Sequence, residues 1–423
     1  MKQLLWKSMM IIALLALVAG CAAQPTPAPT QAPPPPPTEA PQPAPTAEPA
    51  QPTEAPQPAP TAEPAQPTEA PKPTEASAAG AIPTPTENDY PAIYRWLTDA
   101  KMYDILPPGD PKPNKPYKLA LDMIIMSQDY TREVAESAEA YAKKLGMSVQ
   151  TFDANADAAK SRSIAETIAA NKYDGMFIYA SDPALGPTIS KMMKDAGIVA
   201  VGADTPMTRD DYYYGVPSTY AGYIAGKYMF EQAKAKGWDP QKTVGIFMDL
   251  SAFTACTMRL EGYKQALDEV FPDFPEENIV WYDAPYTLNE AIKSVSDQVT
   301  AHPADNYFAA VSCSDEMTAG AARAFEAAGY TDQNAMVSGQ GGGVGPREEL
   351  KKPGTLYSSY TGYMPKCAGE LAVNFLCRIL NGEEVPRYIQ QYVVLLTKDT
   401  VDQYYPGGVE KCDENTVRGM PMP

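Results

Sequence analysis

Between Ala22 and Asn88 this chain cannot build a core. The segment is chiefly Pro, Ala, Thr, Glu and Gln, holds 22 of the 44 prolines and contains no aromatic residue, so it has too little apolar surface to offset the entropy of ordering. A unit recurs within it, Pro-Thr-Glu-Ala-Pro beginning at Pro37, Pro52 and Pro67, which reads as tandem duplication rather than a solenoid. Proline favours the extended polyproline II form, so roughly 65 residues at about 3.1 Å each make a semi-rigid tether of up to about 200 Å. Globular structure must lie downstream.

What precedes the tether is a short leader. Lys2 and Lys7 flank its start, Met9 to Val18 is apolar but too short to span a bilayer, and Ala19 and Gly20 are the small residues a signal peptidase needs. Leu17-Val18-Ala19-Gly20-Cys21 resembles the lipobox of bacterial lipoproteins. The resemblance implies cleavage before Cys21 and a diacylglycerol on its thiol, hence an extracytoplasmic chain anchored to a membrane.

From about Asp89 onward roughly 335 residues have ordinary globular composition, more than one comfortable core, and two lobes of about 150 residues are the natural division. The net charge of −18 argues against nucleic acid, whose backbone asks for basic patches. Leu119 to Met126 is a near-continuous apolar run, as in a parallel strand buried on both faces. Val134, Ala138, Tyr141 and Leu145 then follow helical spacing, and Gly146 stops the helix. Strands at 149–152, 176–179 and 198–201, with helices at 158–171 and 184–196, complete one βα series. A second begins after Pro217: helix 219–236, strand 244–248, helix 257–270, strand 279–282, a helix opened by Thr287-x-x-Glu290, strand 308–311, helix 315–328 and strand 336–338. The fold expected is therefore α/β, two doubly wound parallel-sheet lobes preceded by a disordered tether.

Such sheets bind ligands beyond the carboxyl ends of their strands. The segments just past predicted strands hold Gln128, Asp129, Tyr130, Asp204, Phe253, Arg259, Ser314, Asp315 and Gln340. Carboxylates and amides pair with hydroxyls, a guanidinium donates to ring oxygens and aromatic faces cover C–H surfaces, so this set suits a polyhydroxylated solute. Each also has a plainer use: Asp315 as a helix N-cap, Arg259 in a surface ion pair, Tyr130 and Phe253 as core aromatics. Gly339 to Gly345 lacks the following Gly-Lys-Ser/Thr of a nucleotide loop.

These residues resemble the periplasmic sugar-binding proteins of ABC importers, most closely those that bind L-arabinose, over about Lys118 to Thr400. The likeness rests on Ser181-Asp182-Pro183-Ala184-Leu185-Gly186, Gly237-Trp238-Asp239, Thr257-Met258-Arg259-x-x-Gly262 and Val393-Val394-Leu395-Leu396-Thr397. It implies that Arg259 and Asp204 contact sugar oxygens, that Phe253 is an apolar pocket residue and that Gln128 and Tyr130 line the first lobe. Departures stand beside it. Ile124 takes the place of a binding lysine, Ser314 of an asparagine, and Gly342 and Gly345 of an asparagine and an aspartate. L-Arabinose therefore does not carry over; Gln340, or the backbone N–H groups of Gly341 to Gly343, stand in for the lost side chains.

The resemblance also implies a three-segment hinge, near 214–218, 359–363 and 382–387, and the following layout. Residues 1–20 are the signal peptide, 21–88 the tether, 89–117 an extension, 118–216 plus 361–384 the first lobe, 217–360 plus 385–410 the second, and 411–423 a tail. The function implied is a monomeric solute receptor that closes on a sugar-like molecule and presents it to an ABC permease, the alternative being a sensory protein reporting to a membrane kinase or chemoreceptor. No reaction, cofactor or metal is expected: His302 is the sole histidine and no CxxC pair exists. Beyond Cys21, five cysteines leave at least one thiol free if the others pair internally. Cys256 and Cys313, both at strand ends, are the favoured pair; Cys367 and Cys377, about 15 Å apart on one predicted helix, cannot pair, and Cys412 reaches either.

Overall fold

The computed structural model describes residues 90–99, 103–284, 287–303 and 306–420; the leader, Cys21 and the proline tract lie outside them. Helix α1 (Tyr90–Asp99) comes first. The run at Leu119 becomes β1 (Lys118–Met123), buried from its second residue on. It is followed by α2 (Asp129–Lys144), β2 (Ser148–Asp153), α3 (Ala158–Ala170), β3 (Gly175–Ile178), α4 (Gly186–Asp195), β4 (Val199–Ala203) and β5 (Tyr212–Gly215). Val134, Ala138 and Tyr141 face the core, as their spacing requires, and Gly146 takes the left-handed conformation that ends the α2 segment.

The second lobe repeats the pattern with α5 (Ser218–Ala235), β6 (Thr243–Asp249), α6 (Thr254–Val270), β7 (Ile279–Asp283), α7 (Leu288–Ala301), β8 (Tyr307–Ser312), α8 (Asp315–Ala327), β9 (Ala335–Gly341), α9 (Val344–Lys351) and β10 (Tyr357–Gly362). Thr287 caps α7 by accepting from the Glu290 N–H. The chain then returns through α10 (Pro365–Asn381), β11 (Tyr388–Gln390), β12 (Val394–Leu396) and α11 (Val401–Tyr404).

The two sheets have one topology. Their orders are β2-β1-β3-β4-β5-β11 and β7-β6-β8-β9-β10-β12, parallel except for the antiparallel β12. The strand order reverses beside β1 in one lobe and β6 in the other, which opens a crevice at both sets of carboxyl ends. Crossings between the sheets fall at 216–217, 363–364 and 391–393. The third differs from the 382–387 read from sequence, because Tyr388, Ile389 and Gln390 pair with Tyr213, Tyr214 and Gly215 in the first sheet. Residues 385–390 thus join the first lobe. A three-residue strand has no period of its own to mark it.

A fourth connection follows α11. Tyr405 and Cys367 both belong to the second-lobe core cluster, and Cys412, packed against it, is disulfide-bonded to Cys367 in the first turn of α10. Beyond it, the Met420 N–H donates to the Gln390 carbonyl at 2.8 Å, and Arg418 exchanges two 2.7 Å hydrogen bonds with Leu106. Cys256 pairs with Cys313 as expected. Cys377 is a buried free thiol, and burial pushes its pKa up to about 11. No helix among the described residues is long and apolar enough to cross a membrane.

Candidate functional site

Between the lobes lies a cavity of about 430 Å³ whose walls come from the strand ends at the two switch points. Ile124, Ile125 and Gln128 follow β1, Tyr179 to Ser181 follow β3, and Ala203 ends β4 with Asp204 and Thr205 after it. The facing wall is Leu250, Phe253, Ala255 and Cys256 after β6, Cys313 to Glu316 after β8, and Gln340 and Gly341 at the end of β9.

Arg259 and Asp204 meet across this space. The α6 backbone is set by close packing on α5: an added Cβ on Gly222 would collide with the Arg259 carbonyl, and one on Gly262 with that of Thr219. From there the Arg259 side chain, 9% exposed, places one guanidinium nitrogen 3.4 Å from an Asp204 oxygen. Its other terminal nitrogen donates to the Cys313 carbonyl at 3.3 Å, and the Tyr363 ring centroid lies 5.0 Å away, within cation–π range. Asp204 adopts φ +52°, a left-handed conformation that Asp tolerates better than most residues, and accepts from the Val216 N–H at 2.8 Å. Burial raises its pKa, and Arg259 partly opposes the rise.

Other contacts tie the lobes together. Gln128 donates to Glu316 at 3.3 Å, and Arg347 of α9 pairs with Glu133 of α2 at 2.9 Å. Glu316 loses hydration and sits beside Asp315, so its pKa climbs to about 7.

Four sequence expectations change here. Asp129 does not line the cavity: it pairs with Arg132 and lies at the rim against Gly343, because the first turn of α2 directs it away from the strand ends. Ser314, not Asp315, is the N-cap of α8, accepting from the Met317 N–H. Its hydroxyl is occupied there although the residue lines the wall. Asp315 accepts from the N–H groups of Gly342 and Gly343 at 3.0 and 2.9 Å. Two of the three backbone donors suggested for a ligand, those of Gly342 and Gly343, are thus already used, and the carboxylate fastens the glycine loop to α8.

Tyr130 and Phe253 do line the cavity. Tyr130 stands edge-on to Tyr363 with centroids 5.8 Å apart, and its hydroxyl contacts Tyr179 and Gln391. Gln340 accepts from the Tyr363 hydroxyl at 2.6 Å. Tyr363, Tyr179, Ser181 and Glu316 were missed. The last three lie just past β3 and β8, where the strand-end rule points; Tyr363 lies on a crossing, and no local pattern marks it.

A family model described as a periplasmic binding protein domain matches residues 120–384. The chain belongs to that family. It is a family of substrate-binding proteins, not of enzymes, and two such lobes make the type I periplasmic-binding-protein fold. No curated protein sequence matches the chain. Among solved structures, this periplasmic binding domain is similar to an ABC transporter solute-binding protein of Actinobacillus succinogenes with bound D-allose. The two are 23% identical over 69% of this chain and 100% of that one, with a TM-score of 0.60. A Bacillus halodurans solute-binding protein with bound myo-inositol is 21% identical over 70% of this chain and 98% of its own, TM-score 0.58. The 5-methylthioribose transporter solute-binding protein of Thermotoga lettingae is 18% identical over 71% and 91%, TM-score 0.59.

Proposed function

We propose that this protein captures a neutral, sugar-like solute between its lobes and delivers it to an ABC permease from the outer side of a membrane. The observation that carries the reading is the meeting of Asp204 and Arg259, from opposite lobes, across a cavity at both switch points. A solute with several hydroxyls satisfies both at once and closes the lobes by its differential affinity for the closed state. Arg259 is the one cation among the described lining residues, against the carboxylates of Asp204 and Asp315 and a Glu316 only partly ionised near neutral pH. That balance disfavours phosphates and acids. Ile124 and Ile125 in the wall give an apolar side where L-arabinose binders carry a lysine, so L-arabinose itself is not the expected ligand.

A thermal-shift panel of neutral sugars, polyols, sugar acids, sugar phosphates and amino acids tests this. A neutral sugar or polyol at about 100 times its Kd should add roughly 2.7 kcal/mol. Stabilisation by anionic compounds or amino acids alone would overturn the reading.

Anchorage at Cys21 follows from the lipobox sequence and lies outside the described residues. Cys21→Ser is expected to abolish incorporation of labelled fatty acid while the far-UV spectrum and melting of the protein stay unchanged. Continued labelling would overturn anchorage at Cys21.

A further inference from the structure

Helix α1 lies outside the two-lobe topology, immediately after the proline tract in sequence, yet it is bound to both lobes. Ile93, Tyr94 and Leu97 are at most 1% exposed. They form one apolar cluster with Tyr213 and Tyr388 of the first-lobe strands β5 and β11, and with Ala255 and Met258 of the second-lobe helix α6. The Tyr94 hydroxyl bonds Ser218 at 2.8 Å and donates to the Val216 carbonyl at 3.2 Å, so it grips the first crossing. Arg95 holds the Glu261 carboxylate of α6 through two hydrogen bonds of 2.9 and 2.7 Å. Downstream, Asp104 bridges Ile389 and its N–H donates to the Tyr388 carbonyl at 3.2 Å, which extends the first sheet beyond β11.

The helix it touches matters. α6 carries Arg259, and Ala255 is part of the cavity wall. Swinging the second lobe away from the first moves α6 relative to β5 and β11, and α1 cannot then keep both sets of contacts.

We infer that α1 is a brace across the hinge that biases the ligand-free protein toward the closed arrangement of its lobes. The brace acts by adding contacts present only when α6 and the β5–β11 edge are in register, and a receptor whose competent state is already populated loses less affinity to the closing step. Its action does not depend on which solute the cavity takes.

The test measures interlobe distance without ligand, by double electron–electron resonance between spin labels at Ala140→Cys on α2 and Lys293→Cys on α7. The full chain is used with Cys21→Ser, and the buried Cys377 is left unlabelled. Arg95→Glu sets two like charges together and should lower the closed-to-open ratio about 2- to 5-fold, the range expected for a partly exposed ion pair. Combining it with Glu261→Arg should restore the parent distribution. Ile93→Asp with Leu97→Asp should open the lobes further. Because that pair of changes threatens folding, the charge swap decides the matter. A distance distribution unchanged by Arg95→Glu, or not restored by the swap, would overturn the inference.

Discussion

Arg259→Ala is expected to weaken binding of the solute by about 10- to 150-fold, the equivalent of losing charge-assisted hydrogen bonds worth about 1.5–3 kcal/mol, with the fold intact. Removing Asp204 should not be the mirror image. Once Arg259 is gone, Asp204 still holds the Val216 N–H, so its carboxylate keeps a hydrogen-bond partner. Once Asp204 is gone, the guanidinium of the buried Arg259 faces the cavity without that carboxylate, and the Val216 N–H loses its acceptor. Breaking a buried pair by one partner costs about 3–5 kcal/mol, so Asp204→Ala should lower stability as well as affinity, whereas Asp204→Asn keeps an acceptor for Val216 and should spare much of the stability. Calorimetry and chemical denaturation of the two single variants and the double variant separate these contributions. The double variant should be more stable than the sum of the single losses predicts, and simple additivity would mean that the two side chains act independently.

Removing the Cys256–Cys313 disulfide should have the other large effect. The bridge spans 57 residues, for which loop-closure entropy gives about 4 kcal/mol of stabilisation. It also joins the first turn of α6 to the loop before α8, and both cysteines line the cavity. Cys256→Ser with Cys313→Ser is therefore expected to lower stability by up to about 4 kcal/mol and to weaken binding, since the segments bearing Arg259 and Glu316 lose their common tie. Cys367–Cys412, spanning 45 residues, stands outside the cavity wall; its loss should cost similar stability and leave affinity for the solute nearly unchanged. Non-reducing mass spectrometry should count these two bridges, and Cys377 should resist alkylation until the protein unfolds, as its burial and raised pKa require. Equal loss of affinity from breaking either bridge would show that the Cys256 bridge has no special hold on the site.

Much of this architecture is legible in the chain because it depends on neighbours close in sequence. The apolar run from Leu119 marks a strand buried on both faces, the spacing of Val134, Ala138 and Tyr141 marks the face of α2, and Thr287 with Glu290 marks the start of α7. Alternation of these elements is enough to imply two doubly wound lobes, and the strand-end rule then puts Asp204, Arg259, Phe253 and Gln340 at one crevice without any coordinates. Tertiary structure alone decided the pairings. The Ser314 cap and the Asp129–Arg132 pair are contacts three residues apart whose choice among local partners the sequence left open, whereas the hold of the Asp315 carboxylate on Gly342 and Gly343 follows from the distance between segments whose separation in sequence sets no constraint on their separation in space. The same holds for Tyr388 to Gln390, too short to show a period and fixed only by the edge of β5, and for Cys367, whose partner is Cys412 because the tail returns to the start of α10. Helix α1 is apolar on one side by sequence, but what that side covers depends on the junction of two lobes, a surface that exists only once both have folded and met.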